Sequence, residues 1–285
     1  MPRSELIITA DDFGADIAVN EAVEIAHRQG VLTAASLMVG APGAADAVAR
    51  ARRLPSLRVG LHLVLVEGRP SLPPAKIPHL VRADGLFRTD MAAAGAAMFF
   101  LRAARRQLAA EIAAQFAAFA ATGLSLDHVN AHKHYHLHPT IAGLILKIGA
   151  RHGLTAIRAP VEPSSVLNRV EVGAEGLGDW AFREMASAAR GRFRRAGLAA
   201  PDQVFGLRWS GAMTSDRLRG LIEALPSGVS EIYLHPATAN AYPGSALGYR
   251  YTDELTALTS PEVRAAIQAG DVRTGGFADL SGDQS

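Results

Sequence analysis

Short apolar runs alternate along this chain with segments of helical period. Leu6-Ile7-Ile8 marks a first strand over residues 5–10, and residues 17–29 follow as a helix stopped by Gly30. Ala34 to Val39 reads as a second strand, 44–54 as a short helix before Pro55, and Leu57 to Leu63 as a third strand. Residues 66–90, rich in Pro and Gly, read as the centre of an insertion spanning about 64–101. A long Ala-rich helix over 102–121 ends at Gly123, Leu124 to Val129 is a fourth strand, and a helix over 139–152 starts at Pro139 and closes at Gly153. Thr155 to Arg158, Val204 to Leu207, Glu231 to Leu234 and 272–277 complete the strands, with helices over 179–196, 215–224 and 261–269. Residues 236–251 read as a loop and 281–285 as a flexible tail.

Seven or eight βα units predict a parallel sheet, closed as a barrel or open and doubly wound. No Gly-x-Gly-x-x-Gly follows the first strand, and no phosphate-loop motif occurs, so a dinucleotide fold loses support. The expected architecture is a single domain over residues 1–280, a distorted TIM-like (β/α) barrel.

Composition narrows the chemistry. The chain has 285 residues, 49% hydrophobic and 20% charged, enough to build a core and too apolar for disorder. A net charge of +2 gives no reason to expect nucleic acid. With no cysteine, disulfides, thiolate metal sites and a Cys nucleophile are excluded, and any metal must be held by His and carboxylate. The N-terminus enters a strand pattern without a basic region followed by an apolar one, and no run reaches the ~18 apolar residues of a membrane span. A cytoplasmic protein is expected.

Two motifs stand out. Asn130-Ala131-His132-Lys133-His134-Tyr135-His136-Leu137-His138 places four of the ten histidines within seven residues, where alternating imidazoles can converge on one point. Thr9-Ala10-Asp11-Asp12-Phe13-Gly14 sets two adjacent carboxylates at a buried strand end, where they repel unless a cation relieves them. His62 ends the third strand, Arg158 the fifth, and His235 the strand Ile232-Tyr233-Leu234-His235. In a parallel barrel all these ends share one rim, the rim that carries active sites. Taken singly, His62 and His235 read as core histidines and Arg158 as a partner for a carboxylate. His27, His79 and His152 read as surface residues.

These elements resemble the YdjC-like family of carbohydrate deacetylases, through Thr9 to Gly14, Gly60-Leu61-His62-Leu63, the His132 run, Arg158-Ala159-Pro160 and Leu234-His235-Pro236. The subgroup associated with hopanoid biosynthesis is similar in addition through Ala34 to Gly40, Leu63 to Pro70 and Val129 to His134. The resemblance implies a metal-dependent hydrolase that removes acetyl groups from N-acetylated sugars, and for the subgroup an N-acetylglucosaminyl hopanoid as substrate. It implies Asp12, His62 and His132 as ligands of one divalent ion, zinc or magnesium. Asp11 would be the general base and His235 the general acid, with Arg158 holding Asp11. His134 and His136 are alternative ligands or substrate contacts. One departure is Asn130, which stands where many members carry Asp.

Other readings are a different metal hydrolase on the same scaffold, such as a phosphoesterase, and a non-catalytic glycan- or lipid-binding barrel. A glycolipid substrate would call for access from a membrane surface at the inner membrane face. The stretch Met91 to Arg106, with Met98-Phe99-Phe100-Leu101 beside several Arg, could lie at such an interface; packing on the barrel or on a second subunit of a homodimer is the competing use.

Overall fold

The computed structural model describes residues 4–280, so the tail expected at 281–285 lies outside the described residues. Its organising element is β1 (Ser4–Phe13), buried over most of its length. Five further strands join it in one parallel sheet: β2 (Ala34–Leu37) and β6 (Gly228–Leu234) flank β1, β3 (Arg58–Leu63) and then β4 (Val129–Ala131) extend the β2 side, and β5 (Gln203–Phe205) extends the β6 side. Their order across the sheet is β4-β3-β2-β1-β6-β5, and a two-residue β7 (Arg273–Thr274) pairs with the start of β1. Helices α1 (Ile17–Gln29), α2 (Ala44–Ala51), α3 (Met91–Phe100), α4 (Arg102–Ala121) and α5 (Pro139–Gly149) fall in the first half of the chain. The second half carries α6 (Ser164–Val170), α7 (Leu177–Arg195), α8 (Ser215–Glu223), α9 (Tyr251–Thr259), α10 (Pro261–Ala269) and the short α11 (Phe277–Leu280).

The sheet is curled, and the strand period of two sorts its residues. Leu6, Ile8 and Ala10 of β1, Ala35 and Leu37 of β2, Leu61 and Leu63 of β3 and Ile232 and Leu234 of β6 join the main apolar core with the helices. The alternate residues face inward. Nearest the strand starts they form a small apolar layer of Ile7, Ala34, Ala156 and Phe277. Beyond it the interior turns polar: Thr9, Ser36, His128, Asn130, Arg158 and Glu231 are all buried there and hydrogen-bond to one another across the sheet.

The structure corrects several sequence expectations. Thr155 to Arg158 is not a regular strand; it makes single parallel bridges, Val129↔Ile157 and Ala156↔Ala199, that link the β4 edge to the segment before β5. Its bonds go to two diverging neighbours, which prevents a continuous ladder with either. The fourth strand begins at Val129 rather than Leu124, and the last is two residues long. Two helices, Ser164–Val170 and Tyr251–Thr259, lie where no element was expected. The second was hidden behind the Pro/Gly/Tyr-rich loop, yet Tyr251, Glu254, Ala257 and Leu258 give it a buried face at helical spacing.

The segment between β3 and α4 contains α3 and a tight antiparallel bridge, Val81↔Phe87. It is tied to α4 by two buried polar side chains. Glu111 accepts the backbone N–H of Ser71 and Leu72 at 2.7 and 3.0 Å, and Gln115 both donates to and accepts from the Val64 backbone.

Candidate metal centre and catalytic cleft

At the carboxyl end of β1 the pairing with β2 jumps from Ala10↔Ala35 to Phe13↔Leu37, leaving one extra residue on β1. Asp12 absorbs it with a left-handed backbone, φ 61°, a conformation costing about 1–3 kcal/mol outside glycine. The bulge is fixed by Met38 N–H donating to Phe13 O and by Gly14 N–H donating to the Asn20 side chain. An ideal strand would send consecutive side chains to opposite faces; here both Asp11 and Asp12 line the same cleft. A second departure follows β4, where Lys133 and His134 both have φ 54°. This kink separates His132, at the strand end, from the rest of the histidine run.

Asp12, His62 and His132 offer ligand atoms that all lie within 4.8 Å of one another. His62 Nε2 is 3.2 Å and His132 Nδ1 3.3 Å from the same Asp12 oxygen, Oδ1. Asp12 Oδ1 and His62 Nε2 are buried, yet among the described residues neither has a hydrogen-bond partner. Buried polar atoms are ordinarily paired. Three converging lone-pair donors with nothing between them fit a divalent cation, and an Asp/His₂ donor set suits zinc. His62 Nδ1 meets Asn130 Oδ1 at 2.7 Å, which places the ring proton on Nδ1 and turns Nε2 to the candidate ion. Charge balance agrees: Asp11 and Glu231 already share the Arg158 guanidinium, and among the described residues Asp12 is approached only by the His62 and His132 rings.

Burial by itself pushes the Asp12 carboxyl up, but the His132 and His62 imidazoles outweigh it and hold the group well below the usual carboxylate range. Burial likewise pulls His62 down, while the Asp11 and Asp12 charges more than reverse this, so its pKa is raised.

Asp11 sits deeper. Arg158 donates to both of its oxygens, and Asn130 Nδ2 donates to Oδ1 at 2.9 Å. Burial pushes Asp11 up, but Arg158, His62 and His235 prevail and keep it ionised far below its ordinary pKa. Arg158 also binds Glu231, which accepts from Thr9 as well, and its guanidinium lies 4.4 Å over the Tyr233 ring. His235 ends β6. Its backbone N–H donates to the buried Glu254 carboxylate, its ring packs edge-on against Tyr233 and Tyr249, and its Nδ1 is buried without a partner among the described residues.

His134 and His136 part company with His132. His136 is fully buried, with Nε2 2.9 Å from Arg158 O, and stands outside the Asp12 cluster. Burial, reinforced by Arg158, drops its pKa to about 3, so the ring is neutral. His134 Nε2 meets the Tyr233 hydroxyl at 3.0 Å. Burial holds Tyr233 protonated and His134 neutral. His134 Nδ1 is buried without a partner among the described residues, at a residue that lines the cleft. The cleft is about 480 Å³, and Phe182, Leu207, Tyr249 and Tyr251 form its apolar walls. A monosaccharide-sized group fits that volume.

Sequence reasoning missed Glu231, Glu254 and Tyr233. A signal was present for two of them: Glu231, Tyr233 and His235 alternate along β6, the inward parity that Thr9 and Asp11 follow on β1. Glu254 carried none, because helix α9 was not expected. Of the histidines read as surface residues, His27 is half-buried and ties α1 to Leu32 O and Ser56.

The chain matches the family model described as YdjC-like protein over residues 5–269. The carbohydrate deacetylase of Geobacillus stearothermophilus is 30% identical over 271 residues, 94% of this chain and 94% of that one. A carbohydrate deacetylase of Brevibacillus brevis is 38% identical over 148 residues, 52% of this chain and 56% of the relative's length. Among solved structures, a protein of Enterococcus faecalis V583 with a proposed role in cellobiose-phosphate cleavage superposes with a TM-score of 0.75 at 24% identity, covering 99% of this chain and 100% of that one. That last likeness speaks for the fold alone.

Proposed function

Because the chain belongs to the YdjC-like protein family, we propose that it is a metal-dependent deacetylase acting on the N-acetyl group of an N-acetylglucosamine-type sugar. The observation that carries this reading is the convergence of Asp12 Oδ1, His62 Nε2 and His132 Nδ1 on one point beside a second, ionised carboxylate, Asp11. The curled sheet, bridged through Thr155 to Arg158, supports a distorted (β/α) barrel as the scaffold.

Asp12, His62 and His132 would hold the cation, zinc or magnesium, which when bound would supply Lewis acidity at the amide carbonyl and a lowered pKa of water. Asp11 takes the proton of the attacking water. Arg158 keeps Asp11 in one orientation through two charge-assisted hydrogen bonds. The carbon–nitrogen bond breaks, His235 protonates the leaving amine, and acetate and the free amino sugar depart. His134, whose Nδ1 has no partner among the described residues, would serve as a polar contact for substrate.

The finer substrate is an N-acetylglucosaminyl hopanoid. Its support is the motif resemblance and an apolar tip on the helix that packs against the His run. Phe99, Phe100 and Leu101 are 45%, 75% and 49% exposed. They end α3, which packs on the His run through Tyr135 and His138. Arg102, Arg105 and Arg106 follow directly. No helix among the described residues is long and apolar enough to cross a membrane. Access would therefore be peripheral, at the inner face, by a cytoplasmic protein, with the same tip as a contact if the chain pairs as a homodimer.

The test is acetate release by metal-loaded protein from an N-acetylglucosaminyl hopanoid and from chitobiose, with and without chelator. Chelator-sensitive release from the hopanoid alone supports both the chemistry and the lipid. Release from chitobiose alone keeps the deacetylase and removes the lipid. Silence on both, with metal bound, removes the reading. Liposome co-sedimentation unchanged by Phe99→Ser with Phe100→Ser removes the membrane contact.

A further inference from the structure

Behind the candidate metal centre runs a line of buried polar groups that the chemistry above does not use. Asp127 Oδ2 meets His128 Nδ1 at 2.9 Å, and His128 Nε2 meets Ser36 Oγ at 2.9 Å. Asn130 Nδ2 donates to Ser36 Oγ at 2.9 Å and to Asp11 Oδ1 at 2.9 Å, while Asn130 Oδ1 meets His62 Nδ1 at 2.7 Å. The first three residues have the composition of a Ser-His-Asp triad. Ser36 and His128 are both fully buried and absent from the cleft wall, so no substrate reaches that hydroxyl.

The donors and acceptors can be followed from one end. Asp127 accepts the backbone N–H groups of Phe277 and Ala278, so its carboxylate is an acceptor throughout. His128 must then donate from Nδ1, and its Nε2 is the acceptor that faces the Ser36 hydroxyl, whose oxygen already accepts from Asn130. The Ser36 hydroxyl donates to that nitrogen, and its oxygen accepts one Asn130 hydrogen. The other hydrogen goes to Asp11. With both amide hydrogens committed in two directions, the plane of Asn130 is fixed and Oδ1 can only receive His62 Nδ1–H. The His128 ring is itself held on two sides. Phe277 stacks on it at 4.2 Å, and a Cβ at Gly60 would come within 2.5 Å of it.

We propose that Asp127, His128 and Ser36 are positioning residues that lock the Asn130 amide and, through it, the Nδ1–H tautomer of His62. His62 Nε2 is thereby kept as a lone pair aimed at Asp12 Oδ1. The consequence for ion binding rests on the metal reading above; the tautomer does not. An aspartate at position 130 could not make this connection, because it has no hydrogen for either Asp11 or Ser36.

The experiment compares the parent with Ser36→Ala and Ser36→Cys, the second preserving volume while losing a strong hydrogen-bonding oxygen. Nitrogen-15 NMR of the metal-free protein, at a pH where His62 has lost its second proton, reads the tautomer directly. Zinc affinity by chelator competition reads the consequence, and near-ultraviolet circular dichroism checks the fold. Expected are a single Nδ1–H form of His62 in the parent, mixed tautomers in both variants, and zinc binding weaker by about tenfold or more, the size typical for loss of an outer partner of a ligating His. An Nε2–H form in the parent overturns the proposal. So do variants whose His62 tautomer matches the parent, and a Cys variant that behaves as the parent assigns the effect to packing and overturns it too. A parent that shows the Nδ1–H form, loses it on substitution and binds no zinc sinks the metal reading and leaves the network standing.

Discussion

Arg158 grips Asp11 with two parallel bonds, Nη1 to Oδ2 at 2.5 Å and Nη2 to Oδ1 at 3.0 Å, with both side chains buried. The same guanidinium serves Glu231. Arg158→Met removes the one cation shared by two interior carboxylates. Breaking a buried pair from one side typically costs about 3–5 kcal/mol. Urea unfolding should show a loss of that order, together with loss of acetate release. A loss under about 1 kcal/mol would mean that water reaches these carboxylates.

Asp11 and Asp12 are neighbours with separable duties. Asp12→Ala should abolish zinc binding, whereas Asp11→Asn should bind zinc and release no acetate. Melting with and without zinc distinguishes them. Ligand at one hundred times its Kd stabilises by about 2.7 kcal/mol, so zinc should raise the Tm of the parent and of Asp11→Asn, and leave Asp12→Ala unmoved. Full activity in Asp11→Asn would remove the general-base assignment.

His136 should make stability depend on pH. Its folded pKa is about 3 against an ordinary 6.5, first because it is buried and then because Arg158 is near, with His62 adding and Asp11 opposing. Below about 6.5 the unfolded chain takes up a proton that the native ring refuses. This contribution is therefore neutral above that value and destabilises progressively as pH falls towards 3. His136→Gln keeps an N–H for Arg158 O without the titration. Its denaturation midpoint should fall less steeply with acid than the parent's; an identical slope would show that His136 is protonated in the native state.

Glu111 holds the insertion to α4 through the Ser71 and Leu72 amides. Glu111→Ala strands both donors, a penalty of about 1–3 kcal/mol for each buried group left unpaired. Amide hydrogen exchange should accelerate across residues 66–90 and remain slow in β1. Unchanged exchange would mean that the apolar contacts of Ile77, Leu80 and Phe87 suffice.

How far the site could be read in advance differed from residue to residue. Asp11 and Asp12 announced themselves as paired charges interrupting an apolar run, and His132 through the density of its segment. His62 and His235 were visible as single polar residues at strand ends, and Arg158 likewise, although its segment proved too short to be a strand. Ser36, His128 and Glu231 passed unnoticed, since one polar residue inside a strand looks the same whether it faces a polar interior or is an incidental hydroxyl or charge. The irregular backbones at Asp12, Lys133 and His134 left no mark on composition. Those backbones decide that Asp11 and Asp12 share a cleft and that His132, not His136, stands beside Asp12.

By itself the amino-acid sequence determined the alternation of strand and helix, the metal-binding character of the available side chains and the parity that divides each strand into a core face and a polar face. These are local properties, set by side-chain chemistry and by the period of the backbone. The tertiary structure alone decided the partnerships: Arg158 with Asp11 across 147 residues and with Glu231 across 73, and Ser36 with His128 across 92. Such contacts depend on how the sheet curls and on which buried donors find acceptors when it does. A buried charge or amide must be satisfied by whatever the closed fold brings within about 3 Å, and that neighbour is not written in the flanking sequence.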